Sequence, residues 1–342
     1  MERKLKNSVI IAFGMLVIFG CKKEKPPIPL LGVGCSSTHC PEMYQKRTSE
    51  YPDTLHFTDT PPNCMTMFEE TYTQKWIYFG LSINPKNKFE FVIARFNPEN
   101  SQTGRQLCIH NLCNNKFEIL TDNALGAASW SINDWILYIG YDLHLYRIKP
   151  DGSEKENLSN GGVNKNPKWS PDGTKFVYKN ITDNPNRLRI CDENGELIKT
   201  ITGNINSWNW RSNGEIIFTD DGYIKVFDLE DESVSTIMNQ PIENLENLEN
   251  AGLIPIENRI YFNSFNGLNV LENNGDNSLI EESYLSFDII DINSLDDDHL
   301  IFSRATIDTS AYPCTTKVTF YTSIYDIETQ SERYIKKLTE LK

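Results

Sequence analysis

Apolar and polar residues alternate along most of this chain in short runs, with turn-forming residues between them. The clearest stretch is Asn166–Tyr178, NPKWSPDGTKFVY. Asn166–Ser170 reads as an extended run carrying Trp169. Pro171 can set φ for the first corner of a turn, Asp172 has a short side chain that suits it, and Gly173 can take φ > 0. Phe176 and Tyr178 then alternate with Lys175 and Val177, as in a strand with two differently packed faces. The expected unit is strand, tight turn, strand.

Weaker copies lie on both sides. Aligned on Trp169, the anchors Ile83, Trp130, Trp169, Trp210, Ile254 and Ile292 are spaced 47, 39, 41, 44 and 38 residues apart. The second half of each unit repeats too, as in LCIHNLCNNKFEIL, LYRIKPDGSEKENL and SIYDIETQSERYI. Each has a short apolar strand, a polar turn and a strand that leaves it. A strand-built period near ~40 residues, with almost no 3.6-residue periodicity, is that of a propeller blade. Four short strands in each of six units predict an all-β, six-bladed β-propeller over residues 75–342.

The phrase PKWSPDGTKFVY resembles the repeat of TolB-like β-propellers, over roughly Ile77 to Ile335. The wording is close at Asn166–Tyr178 and approximate elsewhere; blades 5 and 6 lack the Trp-Ser-Pro-Asp-Gly phrase. The resemblance implies an envelope protein that works by binding other proteins. Fold alone does not assign function.

The first residues carry an address. Arg3, Lys4 and Lys6 precede an apolar run of eleven residues, Val9–Phe19, short for a membrane span of ~20. It ends Ile18-Phe19-Gly20-Cys21, which resembles the lipobox of bacterial lipoproteins. That resemblance implies a signal peptide over 1–20, cleavage after Gly20 and lipid on Cys21, against the alternatives of a plain signal peptide or a buried core segment. A lipid on Cys21 would anchor the chain to a membrane without spanning it. The absence of aspartate after Cys21 is compatible with outer-membrane sorting and leaves the periplasmic or surface side open. Residues 21–74 then read as a lipidated cysteine, a Pro-rich tether over Lys22–Pro29 and an irregular segment. Within it, Asp53-Thr54-Leu55 resembles the O-glycosylation triplet of Bacteroidetes-type envelope proteins, a match short enough to arise by chance. Leu55–Thr58 or Thr71–Gln74 could add a strand that closes the ring.

Net charge is −14, and Met1–Gly20 holds three cations against one glutamate, so removing it gives −16. Such a surface disfavours nucleic acid, whose phosphates need a basic footprint. Eight cysteines are present. With Cys21 assigned to lipid, Cys35, Cys40, Cys64, Cys108, Cys113, Cys191 and Cys314 remain in a compartment that permits disulfides. Cys35–Cys40 and Cys108–Cys113 are the candidate pairs, the first closing a small loop and the second stapling a turn of blade 1. Seven is odd, which leaves at least one thiol free or paired between chains, and Cys191 in the apolar LRIC is expected to be buried and unpaired.

Little chemistry follows from motifs. His39 and His110 beside these cysteines do not complete a four-ligand zinc pattern. Asp291–Asp298 puts Leu295 and Asp296 where a calcium loop needs an oxygen ligand and glycine, so an acidic turn is expected. Trp130, Trp169 and Trp210 share one repeat position, which suits packing between blades better than a sugar-stacking platform. The chain has no G-x-S-x-G, H-E-x-x-H or phosphate loop. Carboxylate pairs for glycoside chemistry could sit among its 47 acidic residues, because propellers bring distant residues to the axis. No catalytic residue, cofactor or metal ligand is nominated. The expected function is a lipid-anchored envelope scaffold that binds a protein or peptide. The alternative is a carbohydrate-binding or carbohydrate-active propeller. Three or more acids converging on an exposed tryptophan would favour the alternative; a mouth of Asn, Ser and apolar groups would favour the scaffold.

Overall fold

The computed structural model describes residues 53–58, 69–72, 77–96, 105–111, 116–159, 161–182, 187–242, 252–264, 267–272, 274–282, 289–312, 315–328 and 331–335. Among them are strands, turns and bends, and no helix. The strands form six antiparallel sheets, the blades of a six-bladed propeller. Blade 1 is Ile77–Asn84, Asn87–Phe96, Arg105–Asn111 and Lys116–Thr121. Blade 2 is Gly126–Trp130, Ile136–Ile139, Leu145–Ile148 and Glu156–Asn157. Blade 3 is Asn164–Trp169, Lys175–Asn180, Arg187–Asp192 and Leu197–Thr202. Blade 4 is Trp208–Trp210, Glu215–Asp220, Tyr223–Asp228 and Val234–Thr236. Blade 5 is Ile254–Ile256, Arg259–Ser264, Gly267–Leu271 and Asn277–Glu282. Blade 6 is built on Ile289–Asp296, His299–Tyr312, Thr315–Asp326 and Ser331–Ile335.

Why the second strands read as nearly continuous apolar runs is explained by what covers them. Each blade has a neighbour on both faces, so both sets of alternating side chains are buried. In blade 2, Ile136 and Tyr138 pack with Val92, Ala94 and Leu107 of blade 1, while Leu137 and Ile139 pack with Trp169 and Phe176 of blade 3. In blade 3, Phe176 and Tyr178 turn to blade 2, and Val177 turns to Trp208 and Trp210 of blade 4. Further layers join blade 4 to blade 5 and blade 5 to blade 6. Fully burying one such side chain contributes about 1.5–3 kcal/mol, against about 1 kcal/mol net for a turn hydrogen bond. The layers therefore hold the ring together, and the turns set its registers.

Polar contacts between innermost strands follow the repeat. The Trp130 amide donates to Ser82 Oγ at 3.0 Å and the Trp169 amide to Ser129 Oγ at 2.9 Å. Trp210 Nε1 donates to the Lys168 carbonyl at 2.9 Å, and Asn209 Nδ2 to the Leu253 carbonyl at 2.8 Å. The seam between blade 6 and blade 1 is bridged by Asn293 Nδ2, which donates to the Leu81 carbonyl at 2.9 Å across 212 residues of sequence.

Blade 6 departs from the others. Its second and third strands run 14 and 12 residues. Ser331–Ile335 pairs with Thr322–Asp326, and the N-terminal strand Asp53–Thr58 pairs with the same third strand over Thr316–Phe320. Ile335 lies opposite Thr322 and Asp53 opposite Phe320, so one strand from each end of the chain lies end to end along one partner. Glu69–Tyr72 then pairs with Asp53–Thr58. The expected closing strand is thus an addition to the outer side of blade 6, which already has four strands of its own.

Candidate functional site

The hairpins joining first to second and third to fourth strands lie on one face, called here the front face. Its best-formed turn is Ser170–Lys175. The Ser170 amide donates to the Lys175 carbonyl at 2.8 Å and the Gly173 amide to the Ser170 carbonyl at 2.9 Å. Asp172 Oδ1 accepts from Ser170 Oγ at 2.6 Å, from Thr174 Oγ1 at 2.9 Å and from the Thr174 amide at 3.0 Å. Partial burial raises the Asp172 carboxyl, but these donors and Lys175 outweigh it and hold it below its ordinary value. Gly173 takes φ +70, and a Cβ there would stand 2.4 Å from Ser131 Oγ. Pro171, Asp172 and Gly173 therefore sit in a turn wedged between two blades.

Neighbouring turns interlock. Asn133 of blade 2 donates to the Asp172 and Gly173 carbonyls at 3.3 Å, and the Asp172 amide donates to Asn213 Oδ1 of blade 4 at 2.9 Å. Lys86 of blade 1 pairs with Asp134 of blade 2 at 2.5 Å. These contacts make a continuous polar arc from blade 1 to blade 4.

A cleft of about 420 Å³ opens in this face between blades 1 and 2, bounded by Asn84, Glu90, Trp130, Asp134, Lys149, Pro150, Asp151, Ser153 and Glu154. Glu90 accepts from Asn84 Nδ2 at 2.8 Å. Asp151 accepts from Ser153 Oγ at 2.6 Å and from its amide at 2.9 Å, which lowers its carboxyl. Lys149 lies 3.7 Å over the Trp135 ring, beside Arg147 at 4.3 Å. Apart from Trp130, sequence reasoning had not nominated the residues that bound this cleft. The signal was present in Pro150-Asp151-Gly152, a second copy of the turn wording in Pro171-Asp172-Gly173. Spacing along the chain does not show that this turn would meet Glu90 of the preceding blade.

The described tryptophans offer little open surface here. Trp130, Trp169 and Trp210 are 4%, 6% and 3% exposed and sit in the layers between blades. Trp208 is buried in the same layer as Trp210, whereas Asn209 between them reaches blade 5. Trp135 is half-buried under its two cations.

Of the candidate pair Cys108–Cys113, Cys113 lies outside the described residues. Cys108 is a free, fully buried thiol that stands inside its strand opposite Ile119. Burial pushes it up to about 12. Cys191 is also free and buried, and burial pushes it to about 12 as well. Cys21, Cys35, Cys40 and Cys113 lie outside the described residues, as does Glu243–Asn250. Asp291–Asp298 forms the end of a strand and the turn after it. Among the described residues, no three His, Cys, Asp or Glu side chains gather where they could hold a metal ion.

No family profile matches the chain, and no curated protein matches its sequence. Solved structures similar to it include TolB from Acinetobacter baumannii, 12% identical, covering 84% of this chain and 67% of that one with a TM-score of 0.45. A putative TolB from Agrobacterium tumefaciens is 15% identical, covering 66% and 85% with a TM-score of 0.48. An oligogalacturonate lyase in complex with manganese is 10% identical, covering 77% and 78% with a TM-score of 0.49. The propeller architecture rests on the strand pairing itself.

Proposed function

We propose that this chain is a lipid-anchored cell-envelope propeller that binds a protein or peptide across its front face and catalyses no reaction. The observation that carries this reading is the state of three front-face carboxylates, Asp134, Asp151 and Asp172. Asp172 and Asp151 are consumed as acceptors within turns and held below their ordinary values, and Asp134 is paired with Lys86. A glycosidase acid needs the opposite environment, one that keeps its carboxyl protonated near neutral pH. Fixed, ionised turns suit a surface that presents charge and shape to a partner. The anchor rests on the Gly20-Cys21 junction and the TolB-like repeat supports an envelope protein partner.

The glycan reading draws on the blade 1–2 cleft, where Glu90, Asp134, Asp151 and Glu154 meet. Its tryptophan, Trp130, is buried and presents no stacking face. The test is a crosslinking pull-down of the mature protein from intact envelopes, with Cys21→Ser as the unanchored control. One dominant protein that depends on the anchor is the expected result. Enrichment of glycan with no protein partner would overturn the scaffold in favour of the carbohydrate reading.

A further inference from the structure

The outer strands of a propeller are open sheet edges, and proteins usually blunt them with short length or charge. Here the blades differ. The outer strand of blade 2 has two residues and that of blade 4 has three. The outer strands of blades 1 and 5, Lys116–Thr121 and Asn277–Glu282, have six, as does that of blade 3, Leu197–Thr202, beside whose outer edge no strand lies among the described residues. The blade 3 strand also carries two adjacent exposed aliphatics, Leu197 at 57% and Ile198 at 49%. Among the residues whose side chains are described, the outer strand of blade 1 shows Ile119 exposed and that of blade 5 shows Leu279.

The rim around this edge is acidic. Glu193 and Glu196 lie exposed in the turn leading into the strand, and Glu230, Asp231 and Glu232 lie exposed in the corresponding turn of blade 4. Lys199 is the cation between them and is already paired with Glu232. That pair joins the two rims, and Val234, 53% exposed, follows directly on blade 4. A bulge separates Leu197 from Lys199, which leaves Ile198 as the extra residue. Beyond it Lys199–Thr202 is regular, and among the described residues no strand pairs with its outer edge.

We infer that this edge is a second docking surface, distinct from the front-face cleft, and that its occupant is an extended segment of a partner with alternating cationic and aliphatic residues. Such a segment adds as a fifth strand beside Lys199–Thr202. Its main chain bonds to the open edge, its aliphatic side chains cover Leu197 and Ile198, and its cations meet Glu193, Glu196, Glu230 and Asp231, the rim carboxylates other than the one that Lys199 holds. Main-chain pairing supplies affinity in this mode, and alternate side chains supply selectivity.

The test uses a fluorescein-labelled (Lys-Val)₅ peptide, with (Lys-Ser)₅ as the charge-matched control, titrated with the whole mature protein by anisotropy at physiological salt. Saturable binding of (Lys-Val)₅ is expected, at least tenfold tighter than (Lys-Ser)₅ and weakened at least tenfold by Leu197→Lys with Ile198→Lys. Both residues are exposed, so the variant should keep the wild-type melting temperature; Ile119→Lys on blade 1 is the control that should leave binding intact. Equal affinity for both peptides, equal loss in the Ile119→Lys control, or no binding would overturn the inference. So would self-association of the wild type that Leu197→Lys abolishes, since that would assign the edge to a second copy.

Discussion

At the scale of the residue, Gly173 and the tryptophans show how one side chain is constrained by two blades. Gly173 combines a left-handed backbone with Ser131 and Asn133 of blade 2, which stand 2.4 and 2.8 Å from where a Cβ would be. Gly173→Val should cost about 2–4 kcal/mol, from the backbone penalty and from overpacking. Thermal melting checks it, and an unchanged midpoint would remove the turn from its structural role. The tryptophans allow a sharper comparison. Trp210 Nε1 donates to the Lys168 carbonyl, whereas Trp169 Nε1 is buried without a hydrogen-bond partner. Replacing each by Phe removes similar area but only one hydrogen bond. Trp210→Phe should therefore cost about 1 kcal/mol more than Trp169→Phe in denaturant titration.

At the scale of the element, the N-terminal strands matter more than their place in the sequence suggests. Asp53–Thr58 bonds to the third strand of blade 6 while its chain continues into blade 1. It therefore ties the two blades at the seam, in parallel with Asn293 and Leu81. Deleting the chain through Tyr72 should lower the melting temperature further than deleting it through Pro52. Hydrogen exchange should show the added loss of protection in blades 6 and 1. Equal melting of the two truncations would mean that the innermost-strand contacts close the ring unaided.

At the scale of the whole molecule, charge and pH are linked through the turns. Asp142, Asp151, Asp172 and Asp231 all lie below the ordinary 3.8 in the folded chain. The unfolded chain therefore binds more protons than the folded one as pH falls through this range. The stability these groups contribute is present above about pH 3.8 and is lost as pH drops through their folded values. Melting followed from pH 7 to pH 2 should fall most steeply below pH 4, and Asp172→Asn should flatten that fall. A profile as steep in the variant would place the acid sensitivity elsewhere.

The local rules were legible in the sequence because they are local. Strand, turn and strand at Asn166–Tyr178 follow from the φ preferences of Pro171 and Gly173 and from the alternation after them. The repeat of that unit was enough for a six-bladed ring, because a sheet with two apolar faces needs a neighbour on each. What only the tertiary structure decided depends on residues that meet across blades. The Asn133–Asp172–Asn213 interlock, the cleft between Glu90 and the Pro150-Asp151-Gly152 turn, and the end-to-end meeting of Ile335 and Asp53 join positions far apart in sequence. Cys108 makes the same point. Its burial is set by the register of its strand, opposite Ile93 and Ile119, and spacing along the chain does not carry that information.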